Sequence, residues 1–148
     1  MVILKILKYP DKRLRLIAKP VKIINQKIKN IIHNMFETMY HNHGIGLAAT
    51  QVNIHLNIIV IDLMHQKYPP ITLINPKKIY AKGKILTEEG CLSVPETNQK
   101  VTRFKKIKIQ AINYHGKNIV IKAHSLLSIC IQHEMDHLNG KLFIDYTK

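Results

Sequence analysis

Two histidines and a glutamate stand in the run Gln132-His133-Glu134-Met135-Asp136-His137, near the C-terminal end of the chain. Residues four apart on a helix lie one turn from each other, so both imidazoles can reach one metal ion. The Glu134 carboxylate can lean toward a water on that ion, giving two ligands and a general base. A catalytic site of this kind needs a third ligand and an open position. Cys91, in Glu88-Glu89-Gly90-Cys91-Leu92-Ser93-Val94-Pro95, offers a thiolate on a Gly-flanked turn that suits Zn²⁺ or Fe²⁺. The other thiol, Cys130, shares the helix face of His133 and His137. It lies roughly 7–8 Å along the axis from their midpoint, too far for a metal–sulfur bond of about 2.3 Å. Cys91 therefore reads as the ligand and Cys130 as an apolar wall of the pocket. Asp136 points about 100° away around the helix from His137 and should not coordinate. His33, His41, His43, His55, His65, His115 and His124 read as solvated side chains.

Elements must hold these groups. Ile28, Ile31, Ile32, Met35, Phe36 and Met39 follow helical spacing, with Asn25 as N-cap and an end near Gly44. Residues 1–24, broken by Pro10 and Pro20, read as irregular with one short turn. Leu56 to Leu63 reads as a strand buried on both faces, Ile71 to Asn75 as a second strand stopped by Pro76, and Ile79 to Thr87 as a third. Alternation over 104–114, the turn His115-Gly116-Lys117 and Asn118 to Ala123 predict an antiparallel hairpin. Ser125 is the expected N-cap of the metal-binding helix and Gly140 the residue just past its end. The expectation is one α+β domain over residues 1–148, with antiparallel or mixed sheets packed around the C-terminal metal-binding helix and one N-terminal amphipathic helix. In Gly44-Ile45-Gly46-Leu47-Ala48-Ala49-Thr50-Gln51, glycines and alanines allow another backbone to approach closely. Gln51 is either an amide donor facing a site or a surface residue; spacing does not choose.

Composition narrows the class. With 46% hydrophobic and 22% charged residues, the 148-residue chain is globular in balance. The net charge of +14 favours anionic partners. The excess is mostly Lys spread along the chain, which reads as solvated charge rather than a nucleic-acid face. Two cysteines are too few for a disulfide scaffold. No stretch approaches the ~20 apolar residues of a membrane span, so a cytoplasmic protein without membrane contact is expected.

Three stretches together resemble the peptide deformylases: Gly44 to Gln51, Glu89 to Ser93, and His133 to Gly140, in the family's order. The likeness runs from Tyr9-Pro10 to Tyr146. It implies removal of the formyl group from formyl-Met N-termini of nascent polypeptides; a monomer with a transient ribosome contact is expected. It implies one divalent ion on Cys91, His133 and His137, usually Fe²⁺ in the cell and often Zn²⁺ or Ni²⁺ in preparations. Glu134 matches the general base and acid, and Gln51 and the Leu92 N–H match the donors to the oxyanion. The substrate is implied to lie extended along Ile45-Gly46 and near Gly90. Its methionine would enter a pocket at Gly44, Ile45, Glu89, Leu126, Ile129, Cys130 and His133.

That reading agrees with the chemistry, because water activated at the ion can attack a small formamide once Glu134 takes its proton. The chain departs from the family pattern at His43, where an acid is common, and at Asn98, where some relatives carry Arg. It stops four residues after Ile144, where many relatives continue, so ribosome contact would rest on attraction of the positive charge to ribosomal RNA. Two other readings compete: a metallopeptidase cutting internal bonds, and a basic RNA-binding domain with a structural metal. The last predicts a closed coordination shell and no effect of Glu134→Ala.

Overall fold

Four consecutive branched residues, Ile58-Ile59-Val60-Ile61, form β2 (Ile58–Ile61), and all four are fully buried. Successive strand side chains point to opposite faces. Ile59 and Ile61 thus enter one core, and Ile58 and Val60 the other. The first core lies against α2 (Ser125–Leu138), the second against α1 (Gln26–His41). Burial on both sides explains a run with no polar residue.

The computed structural model describes residues 2–64 and 67–146. In it, β2 belongs to a five-stranded sheet with β1 (Gly46–Ala48), β3 (Ile71–Lys82), β6 (Lys106–Ile112) and β7 (Asn118–His124), ordered β1-β2-β3-β6-β7. A separate hairpin pairs β4 (Ile85–Cys91) with β5 (Val94–Arg103). Every strand pair is antiparallel. The helix expected around Met35 forms with Asn25 as its cap, whose Oδ1 accepts from the Ile28 N–H at 3.1 Å. A 3-10 turn at Lys12–Arg15 is the one helical piece among the described residues of the N-terminal segment.

Four expectations are corrected. Pro76 does not stop the second strand: β3 runs through it to Lys82, absorbing the missing N–H at a register shift between Ile74 and Lys77. Asn75 makes that bulge with φ 53°, and its side chain both accepts from the Val21 N–H and donates to the Val21 carbonyl, each at 2.8 Å. The expected third strand, Ile79 to Thr87, is instead the end of β3, a turn at Gly83 and the start of β4. Cys91 is not on an isolated turn but is the last residue of β4, opposite Val94 of the unanticipated β5. Ser125 is no cap: the helix begins at Ser125, with φ 53°, directly after β7. The N–H of Ser125 donates to the Lys105 carbonyl at 3.0 Å, so strand passes to helix in one left-handed step with no room for a capping loop.

Gly140 lies just past α2, as expected, at φ 74°. A Cβ there would sit 2.5 Å from the Arg15 carbonyl oxygen, so glycine is required twice over. Among the described residues no helix is long and apolar enough to cross a membrane. His65 lies outside the described residues.

Candidate active site

The two-sided core fixes α2 against β1, β2 and β7, and the inward face of α2 delivers His133, Glu134 and His137. The β4–β5 hairpin brings Cys91 to them from the other side. A small core of Val94, Val101, Leu142 and Phe143 anchors that hairpin, and the His133 ring stacks on Phe143 at 6.0 Å between centroids. The ligand atoms of Cys91, His133 and His137 all lie within 4.8 Å of one another. Cys91 Sγ stands 3.3 Å from His137 Nε2. Donors about 2.0–2.3 Å from one ion stand roughly 3–4 Å apart, so this set fits a single divalent cation. One soft sulfur and two imidazoles suit Fe²⁺ or Zn²⁺ and leave a position open.

The surroundings orient the rings. Glu89 Oε1 lies 2.9 Å from His133 Nδ1, which leaves Nε2 to face the ion. Arg103 donates to both Glu89 oxygens at 2.8 Å and to Asp136 Oδ2 at 2.6 Å. Asp136 also accepts from the Tyr146 hydroxyl at 2.8 Å, so it holds the frame and does not coordinate. Burial alone would raise the Glu89 carboxyl, but hydrogen bonds from Arg103 and His133 outweigh it and hold it below the ordinary range. Burial likewise opposes charge on His133, yet Cys91 and Glu89 together hold its proton up to about 10 when no cation competes. Burial and then the neighbouring charge of His133 push His137 well below the usual imidazole range. A proton at His133 thus occupies the place of a cation, and metal binding must displace it.

Glu134 is the outlying group. Burial pushes its carboxyl up to about 7, beyond what the charges of His133 and Arg103 restore. Its Oε1 is buried without a hydrogen-bond partner among the described residues. Its Oε2 sits where a Cβ at Gly46 would approach to 2.7 Å, so β1 can pass over the carboxylate only with glycine there. The amide of Gln51 is buried, not at the surface. Its Oε1 accepts from the Ala48 N–H at 2.9 Å, which aims the NH₂ at Ser93 Oγ (3.1 Å) and Cys91 Sγ (3.6 Å).

A cavity of about 390 Å³ opens over these groups. Gly44, Ile45, Gly46, Gln51, Glu89, Gly90, Leu92, Leu126, Ile129 and Cys130 all line it, beside Cys91, His133 and Glu134. Cys130 is a buried wall whose thiol burial pushes up to about 12. Glu89 lines the cavity too, but its carboxylate is committed to His133 and Arg103. Of the other histidines, only His43 borders the cavity, and none in the described residues joins the ligand cluster.

Sequence reasoning missed Arg103, Ser93 and Tyr146. One signal existed. Only three of the 23 cationic side chains are arginine: Arg13, Arg15 and Arg103. Each grips a carboxylate through two nitrogens, Asp11, Asp145 and Glu89 respectively. In a lysine-rich chain, arginine marks the places where a planar fork is needed.

An α+β frame that brings a cysteine sulfur and two imidazoles together, with a buried carboxyl group beside them, is that of a metal-dependent hydrolase. The sequence profile of polypeptide deformylase matches residues 3–148. The chain belongs to that family, whose members are metalloenzymes. It is 63% identical over 146 residues to the peptide deformylase of Buchnera aphidicola subsp. Schizaphis graminum, covering 99% of this chain and 87% of that one. It is 55% identical over 148 residues to the peptide deformylase of Wigglesworthia glossinidia brevipalpis, covering 100% and 97%. Among solved structures, the peptide deformylase of Legionella pneumophila superposes with a TM-score of 0.96 at 44% identity, covering 99% and 87%. That of Ehrlichia chaffeensis in complex with actinonin gives 0.95 at 40%, covering 100% and 90%.

Proposed function

We propose that this chain, a catalytic unit spanning residues 1–148, hydrolyses the formamide of formyl-Met N-termini on nascent polypeptides and releases formate. The observation that carries this reading is the buried Glu134 oxygen, without a partner among the described residues, beside the Cys91–His133–His137 cluster, of which Cys91 and His133 line the cavity. Cys91 Sγ and the Nε2 atoms of His133 and His137 would hold one divalent ion, Fe²⁺ in the cell, with Zn²⁺ or Ni²⁺ able to replace it. When bound, the ion polarises the carbonyl and lowers the pKa of water. Glu134 takes a proton from the attacking water and returns it to the leaving amine. A carboxyl whose pKa is about 7 is suited to both transfers near neutrality. The Gln51 amide and the Leu92 N–H donate to the formyl oxygen as charge builds there.

The substrate main chain pairs with the open side of β1, an edge strand, at Ile45-Gly46 and passes Gly90. Gly44, Ile45, Glu89, Leu126, Ile129 and Cys130 enclose its methionine. Backbone pairing ignores later side chains, as an enzyme serving many nascent proteins requires. The protein acts as a cytoplasmic monomer that touches ribosomal RNA transiently through its positive charge. The test is formate release from a formyl-Met peptide beside its unformylated twin. Cleavage of the twin at an internal bond would replace the reading with a peptidase. Actinonin, found with the E. chaffeensis relative, should compete with the formyl peptide.

A further inference from the structure

The α1-side face of the five-stranded sheet is covered by α1 over β1, β2 and the start of β3. Beyond that helix it lies open. Register places two rows of side chains across β3, β6 and β7 on this open face. One row is Lys82–Lys106–His124 and the next is Tyr80–Lys108–Lys122. They flank a shallow concavity of about 380 Å³ lined by Tyr80, Lys106, Lys108, Lys122 and His124. Like charges directly opposite in a sheet are destabilising, and here Lys82 faces Lys106 while Lys108 faces Lys122.

Among the described residues nothing neutralises them. The strands β3, β6 and β7 contain no Asp or Glu, and among the described residues none of these four lysines forms an ion pair. Four of the chain's nine carboxylates, Asp11, Glu89, Asp136 and Asp145, lie against arginine instead. Charge merely scattered over the surface would not align lysine against lysine on adjacent strands while excluding every acid.

We propose that this face binds the phosphate backbone of a single-stranded or looped RNA. Lysines two apart on one strand repeat every ~6.5 Å, and neighbouring strands stand about 4.8 Å apart, a grid that can follow successive phosphates. Tyr80, half-exposed among the lysines, offers a ring on which a base can stack. An anionic bilayer is the weaker match, because the rows carry no large aliphatic side chain to insert. The proposal deepens the ribosomal contact suggested above by giving it a surface.

The test compares two quadruple variants with the same loss of charge: Lys82, Lys106, Lys108 and Lys122→Gln on this face, and Lys5, Lys12, Lys22 and Lys27→Gln elsewhere. Binding of a fluorescein-labelled single-stranded RNA is measured across a salt series. The face variant should flatten the slope of log K against log[salt] by about 3, from ~0.7 per lost phosphate contact, while the control keeps the wild-type slope. Relief of the opposed lysines should leave the melting temperature of the face variant equal or higher. Both variants should deformylate a short formyl-Met peptide at the wild-type rate, which keeps this test separate from the catalytic reading. Equal loss in the two variants, no RNA binding by the wild type, or tighter binding to phosphatidylserine vesicles through the same lysines would each overturn the proposal.

Discussion

α1 and α2 press on opposite faces of one sheet, yet they bury different chemistry. α1 buries Ile28, Ile32, Met35 and Met39 with one polar side chain, Thr38. The Thr38 hydroxyl is fully used: it donates to the Asn34 carbonyl at 2.7 Å and accepts from the Leu4 N–H at 2.8 Å. α2 buries Leu127, Ile131 and Leu138, but also Ser128, His133, Glu134 and His137. Two of those polar groups, Glu134 Oε1 and His137 Nδ1, have no hydrogen-bond partner among the described residues. A helix that only packs satisfies its buried polar atoms, whereas α2 leaves the Glu134 oxygen, beside the ligand cluster, open to a reactant.

The contrast yields variants that should move activity or stability, seldom both. Glu134→Gln should lower turnover about 10²–10⁴-fold while the protein stays folded and binds metal. It should also remove a pH dependence. A carboxyl raised from 4.5 to about 7 gives the metal-free protein stability that is complete below pH 4.5 and fades as pH climbs to about 7. Chemical denaturation of metal-free protein across that range should show the slope in the parent and not in the variant. An unchanged slope would mean Glu134 has another partner.

Arg103→Met attacks the positioning of α2. Leaving Glu89 buried and Asp136 half-buried without their cation should cost ~3–5 kcal/mol in denaturant unfolding. Looser orientation of His133 should weaken metal binding about 10–100-fold in a competition titration. Adding Glu89→Gln should recover part of the stability and none of the affinity.

Met35→Ala in α1 should cost ~2–5 kcal/mol of stability through the cavity it leaves. Turnover per folded molecule should not change; a fall would show that α1 takes part in more than packing. Smallest is Asn25→Ala, which removes the α1 cap and should lower stability by about 1 kcal/mol with kinetics untouched.

The same contrast explains what the sequence revealed. α1 was legible because its apolar side chains repeat at helical spacing and do nothing else. The candidate cluster of Cys91, His133 and His137, with Glu134, was legible because short-range chemistry and a known motif fall on few residues. β5 was hidden: in Val94-Pro95-Glu96-Thr97-Asn98-Gln99-Lys100-Val101-Thr102-Arg103 only Val94, Val101 and Arg103 are buried, so no apolar alternation marks it. Pro76 concealed the continuity of β3, because the bulge that accommodates it depends on Asn75 reaching Val21, 54 residues away. The Arg103–Glu89 fork spans separate strands, and Ser93 steers Gln51 across a sequence gap of 42. Those are facts of assembly, and local pattern does not contain them.

The burial of Cys130 has a practical result. With its sulfur enclosed and its proton held to about pH 12, this thiol should ignore alkylating reagents in the intact molecule. Cys91 is then the single sulfur such a reagent can count, and bound metal should mask even that one. A thiol titration would report zero, one or two groups for loaded, stripped and unfolded protein, so the chain carries its own gauge of occupancy.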